Sequence, residues 1–64
     1  MKSNIKVYRE MKGLSRPALA EKVGVSWETI KAYEVKGAFP SLKVAFKIAK
    51  ELDVKIDDLF EITE

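Results

Sequence analysis

The sequence predicts an all-α domain built from five short helices, and three observations carry that expectation. Helix punctuation recurs along the chain: a small polar residue, then apolar residues at three- and four-residue spacing, then a glycine or an aspartate turn. The stretch after Pro40 is the clearest case, with Leu42, Ala45, Phe46, Ile48, Ala49 and Leu52 on the helical period and Lys43, Lys47 and Lys50 as an outer basic stripe. Finally, 64 residues allow one domain, and 47% hydrophobic with 34% charged residues is a globular mixture rather than a disordered one.

Each element has its own local reason. Ser3 or Asn4 can cap a first helix that runs to about Lys12, with Ile5, Tyr8 and Met11 on its buried side and Gly13 ending it. Ser15 can cap a second helix. Pro17 falls in its first turn, where a missing N–H does little harm, and Ala18, Leu19, Ala20 and Val23 supply small and apolar packing. Gly24 breaks it, Val25 packs in the turn, and Ser26 caps a third helix with Ile30 and Tyr33 on one face. Glu28, Lys31, Ala32 and Val35 fall on the opposite face, with Trp27 and Thr29 on its borders. Ser41 caps the fourth helix, Asp53-Val54 forms a turn, and a short fifth helix from about Lys55 to Leu59 buries Ile56 and Leu59. Phe60-Glu61-Ile62-Thr63 alternates apolar and polar, which suits a short strand and an irregular tail equally.

Composition removes several function classes. Without cysteine or histidine there is no disulfide framework, no Ser-His or Cys-His hydrolase, and only carboxylates remain as metal ligands. No metal or cofactor is expected. No apolar run approaches the roughly 20 residues that span a bilayer, and the N-terminus is charged from the outset, so an intracellular, cytoplasmic protein is expected. Asp57-Asp58 is the only adjacent acidic pair, and it reads as first-turn charge favouring a helix N-terminus rather than as catalytic machinery. No enzyme is expected. The net charge of +2 conceals a division: residues 1–50 hold eleven basic and four acidic side chains, residues 51–64 one basic and six acidic. One face would meet an anion while the acidic end turns away from it.

Two helices joined by a short turn containing glycine have the layout of a helix-turn-helix. With that layout in place, YREMKGLS (residues 8–15), LAEKVGVSWETI (19–30), YE (33–34) and PSLKVAFKIAKELDVKIDDLF (40–60) follow at family spacing. Over nearly its whole length the chain resembles the Cro/phage-repressor-like helix-turn-helix transcriptional regulators. The resemblance implies a five-helix, lambda-repressor-like DNA-binding domain over residues 1–64. Its helix-turn-helix unit would occupy about residues 15–35, with the third helix in the major groove of DNA. It also implies an ion pair between Arg9 and Glu34, which suits a carboxylate near the core that needs a partner.

Three departures qualify the resemblance. Glutamine is common in the family at the start of helix two, where Arg16 stands here. Arg16 can reach a phosphate, or can pair on the surface with Glu21 or Glu28. The family usually has glycine two residues after the glutamate, whereas Gly37 comes three after Glu34. Either helix three runs one residue longer or Lys36 turns left-handed at some cost. Lastly, the positions that read DNA in the family are commonly polar, and this chain contains no glutamine at all.

The expected function is sequence-specific binding of double-stranded DNA as a small transcriptional regulator, with repression the usual default. Trp27, Glu28, Thr29, Lys31 and Ala32 are the candidate base readers. Lys31 suits guanine O6 and N7, Glu28 can accept from cytosine N4, and Thr29 or Ala32 can touch a thymine methyl group. Arg16, Ser26, Lys36 and Lys43 are candidate phosphate contacts, and Trp27 can donate its indole N–H to the backbone. A two-fold homodimer on a pseudo-palindromic operator is expected, with Phe60 and Ile62 as candidate interface residues and a pairing of Met1–Ile5 with Phe60–Thr63 as its frame. The alternative is a protein-interaction module, an antitoxin or adaptor, that uses the apolar cast of Trp27, Ala32 and Val35 on the same scaffold.

Overall fold

A computed structural model describes residues 2–61. The chain runs β1 (Lys2–Ser3), α1 (Ile5–Met11), α2 (Arg16–Val23), α3 (Trp27–Val35), α4 (Leu42–Leu52), α5 (Ile56–Leu59) and β2 (Phe60–Glu61). Five helices make the fold, and β1 and β2 close it as a two-residue antiparallel ribbon that pairs Lys2 with Glu61 and Ser3 with Phe60. Ile62 and Thr63, which complete the alternating tail, lie outside the described residues.

Packing follows the periodicity. Ile5, Leu19, Ile30, Ile48, Leu52 and Leu59 are fully buried, one or two from every helix, with Val23, Ala20 and Ala49 between them. Burying one such large aliphatic side chain is worth about 1.5–3 kcal/mol, so six of them dominate the favourable side in so small a domain. Three apolar residues assigned to the interior lie outside it. Met11 is 74% exposed, because at about 100° per residue it falls some 120° around α1 from Ile5. Leu42 and Phe46 are also exposed, on the border of the α4 stripe beside Lys43 and Lys50.

Serine caps start three of the helices. The hydroxyls of Ser15, Ser26 and Ser41 accept from the N–H of Ala18, Thr29 and Val44 at 3.1, 3.2 and 3.3 Å. Such caps are each worth about 1 kcal/mol. Asn4 precedes α1 but makes no cap; its side chain donates to the Asp58 carbonyl at 3.1 Å and its N–H to the Leu59 carbonyl at 2.7 Å. The start of α1 is thereby tied to α5. After α4, Asp53 takes a left-handed conformation (φ 57°, ψ 45°) and lets the Val54 N–H reach the Ala49 carbonyl at 3.0 Å.

A non-glycine residue in that conformation carries about 1–2 kcal/mol of strain, less for aspartate. Replacing it with glycine relieves that strain but adds freedom to the unfolded chain. Asp53→Gly is therefore expected to raise the unfolding free energy slightly, by less than about 1 kcal/mol, seen as a small rise in the urea midpoint. A clear drop in the midpoint would show that the added freedom of the unfolded chain outweighs the strain relieved at Asp53.

Candidate nucleic-acid interface

The turn between α2 and α3 is set by Gly24, whose φ of 81° lets α2 end sharply and the Val25 N–H fold back to the Ala20 carbonyl at 3.1 Å. Ser26 then starts α3. Its hydroxyl serves the cap and also shares a hydrogen with Thr29 Oγ1 at 2.8 Å, so the Thr29 hydroxyl is engaged at the base of the helix. Ile30 locks α3 onto Leu19, Ala20 and Val23 in the core, and Tyr33 packs half-buried against it. What remains outward on α3 is Trp27, Glu28, Lys31 and Val35, all exposed, with Ala32 half-buried at the edge. Neither Glu28 nor Lys31 forms an ion pair within the described residues.

The far end of α3 is held by a buried carboxylate. The Glu34 side chain has no exposed surface. Arg9 Nε donates to Glu34 Oε2 at 2.7 Å and Arg9 Nη2 to Oε1 at 3.2 Å. The remaining Arg9 nitrogen, Nη1, donates to the Leu14 carbonyl at 2.8 Å. Arg16 Nε donates to Glu34 Oε1 at 2.9 Å. Arg16 pairs neither with Glu21 nor with Glu28, the partners its sequence neighbourhood suggests; the fold carries the end of α3 to the start of α2 and offers a desolvated carboxylate instead. Burial alone would push the Glu34 carboxyl up, but hydrogen bonds from Arg9 and Arg16, together with their charges, outweigh it and hold the pKa below the usual glutamate value. Arg9 is shifted the other way: its hydrogen bonds to Glu34 raise its pKa against the opposing effect of burial.

Around this network lies an open cleft of ≈ 440 Å³, lined by Arg9, Ser15, Arg16, Pro17 and Trp27. Trp27 is 44% exposed and borders this cleft together with Pro17 and Arg16. Lys36 and Lys43 stand exposed at the end of α3 and the start of α4. Lys36 is not left-handed (φ −108°, ψ 2°); Gly37 takes that conformation, and α3 extends one residue further to reach it. The consequence is a wide closure in which the Ala38 N–H meets the Ala32 carbonyl, six residues back, at 3.2 Å. At the ends of α1, α2 and α4 the corresponding bond spans five. Phe60, in the ribbon, is half-buried and packs on Phe39 with ring centroids 4.5 Å apart; Ile62 is outside the described residues.

Sequence reasoning missed the Arg16–Glu34 bond and the role of Pro17 in the cleft. A signal existed for the first: a glutamate aimed at the core has two oxygens to satisfy, and Arg16 is the other arginine of the chain.

Two helices at a glycine turn, the second presenting free polar side chains from a clamped frame, define a helix-turn-helix protein. A helix-turn-helix family model matches residues 5–59. The chain belongs to this family, the Cro/C1-type helix-turn-helix transcriptional regulators. It is 54% identical over 61 residues to an uncharacterized HTH-type transcriptional regulator of Methanocaldococcus jannaschii, covering 94% of this chain and 91% of that one. A second such regulator, from Bacillus subtilis, is 39% identical over 64 residues and matches across 100% of this chain and 97% of its own. Among solved structures, the N-terminal DNA-binding domain of SinR from Bacillus subtilis superposes with a TM-score of 0.80 at 34% identity, over 94% of this chain and 88% of that one.

The buried carboxylate yields a stability prediction. A carboxyl whose pKa is depressed on folding stabilises above its unfolded pKa, and that contribution disappears as pH falls through the lower folded value. Glu34→Gln is expected to cost about 3 kcal/mol near neutral pH, because two arginines lose their counter-charge. The gap to wild type should close on acidification below the ordinary glutamate range, as measured by urea unfolding at several pH values. A gap that stays constant with pH would mean that the carboxylate charge contributes nothing.

Proposed function

We propose that the chain binds double-stranded DNA sequence-specifically as a small transcriptional regulator, with residues 15–35 of a single domain as the binding unit and α3 in the major groove. The observation that carries this reading is the state of Glu28 and Lys31. Both are exposed, free of partners within the described protein, and mounted on a helix fixed at its start by Ser26, along its length by Ile30 and at its end by Glu34. Unspent polar groups on a rigid element are what base readout requires. Trp27, Thr29 and Ala32 complete the reading surface: Thr29 offers its methyl group, and whichever hydroxyl of the Ser26–Thr29 pair accepts keeps its own hydrogen for DNA. Arg16, Ser26, Lys36 and Lys43 supply phosphate contacts, which carry most of the affinity and make it salt-dependent. Similarity to a DNA-binding domain of the same fold supports the reading. One unit reaches few base pairs, so the working form is a two-fold dimer on half-sites about one turn apart (~34 Å), acting as a repressor. The terminal ribbon, with Phe60 and Ile62, is its proposed contact.

Selection from random duplex DNA at two salt concentrations tests the proposal. A palindromic consensus is the expected result. Failure to enrich any site would favour the protein-docking alternative, for which the exposed Trp27 and Val35 are the anchors.

On a selected site, Lys31→Ala should weaken binding by about 1–3 kcal/mol if it contacts guanine, and unchanged affinity removes it from the readers. Glu28→Gln should change base preference at one position. A uniform gain on all sequences would instead identify Glu28 as a repulsive charge.

A further inference from the structure

We propose that Glu34 is a positioning residue for DNA contact as well as a structural one: from beneath α3 it grips Arg16 by Nε and so aims the rest of that guanidinium at a backbone phosphate. The inference rests on the DNA-binding reading above and specifies how one of its contacts is made. The two arginines on Glu34 are used unequally. Arg9 spends Nε, Nη1 and Nη2 inside the protein, and its side chain is 9% exposed. Arg16 spends only Nε, and its side chain is 27% exposed. Of the five N–H groups of a guanidinium, four therefore remain on the Nη atoms of Arg16, at a cleft shared with Ser15, Pro17 and Trp27.

Other cationic donors are scarce along this cleft, because Arg9 has committed all three of its nitrogens. Pro17 has no N–H, and the Ala18 N–H is already bonded to Ser15 Oγ. The positive charge presented there belongs to Arg16. Two guanidinium groups on one carboxylate also leave an excess positive charge, held where the buried Glu34 cannot swing away. A planar fork can bond the carboxylate along one edge and an oxyanion along another. An ammonium group carries its three donors on one atom, so it serves both only if the two anions close around that atom, whereas the guanidinium spans them edge to edge. Arginine is thus required at this position in a way that positive charge alone does not satisfy.

The test compares wild type, Arg16→Lys and Arg16→Gln for binding to one duplex across a salt series, alongside thermal unfolding. Arg16→Lys is expected to lose about tenfold in affinity, the worth of one charge-assisted hydrogen bond. It should thus resemble Arg16→Gln despite keeping the charge. Wild-type affinity in Arg16→Lys would overturn the proposal. Glu34→Gln, measured at a temperature where it is folded, should weaken binding in the wild-type background but not in Arg16→Gln, while lowering stability in both. Equal loss of affinity in both backgrounds would reduce Glu34 to a structural role. Where Glu34→Gln does not fold, the lysine and glutamine variants of Arg16 decide alone. A wild-type protein that binds no duplex at any salt would sink the DNA-binding reading and this inference with it.

Discussion

The constraint on which the rest of the domain depends is a single carboxylate with no access to water. Burying a charge is costly unless it is paired and hydrogen-bonded, and Glu34 meets that condition only through residues from two other segments. Arg9 comes from α1 and Arg16 from the first turn of α2. Arg9 also takes the carbonyl of Leu14, which fixes the loop between α1 and α2. One acid thus sets three things at once: where α1 lies, where α2 begins and how far α3 extends from their junction. Buried ion pairs add little net stability over apolar packing. Their stronger effect here is geometric, because loss of Glu34 or Arg9 leaves a desolvated charge behind.

The apolar core does the complementary work. Leu19, Ala20 and Val23 of α2 share one buried cluster with Ile30 of α3. Core and network together immobilise the inner side of α3 and leave the outer side without structural duties. That division explains how a helix can carry Trp27 and Glu28 at its leading edge without loss of fold. Neither residue belongs to the buried core or to the arginine–glutamate network.

Much of this was legible in the chain. Serine followed by a helical apolar period located α2, α3 and α4, and glycine at residues 13 and 24 marked the ends of α1 and α2. The core was readable wherever one face of a helix was strongly apolar, as with Ile30, Ile48 and Leu52. It was not readable at the borders of such faces: Met11, Leu42 and Phe46 have the right chemistry but point past their neighbours. The Arg16–Glu34 bond was missed for a different reason: the family resemblance supplies Arg9 as the partner of Glu34 and leaves the second carboxylate oxygen unassigned, although Arg16 is the other arginine available. The ribbon was half-legible, since two residues on each strand are too few to establish a period.

The displaced glycine after α3 has a consequence for how such domains can be exchanged. Each added helical residue advances the chain by about 1.5 Å and turns it by about 100°. The loop carrying Lys36 therefore leaves α3 in a different direction from that in a relative whose glycine comes one residue earlier. On the proposed reading, grafting only the outward side chains of α3 from such a relative would carry over its contacts with the bases. The placement of the following loop, and the stretch of nucleic-acid backbone it can reach, would remain that of this chain. Affinity for the donor's site would then be recovered only when the loop travels with the helix.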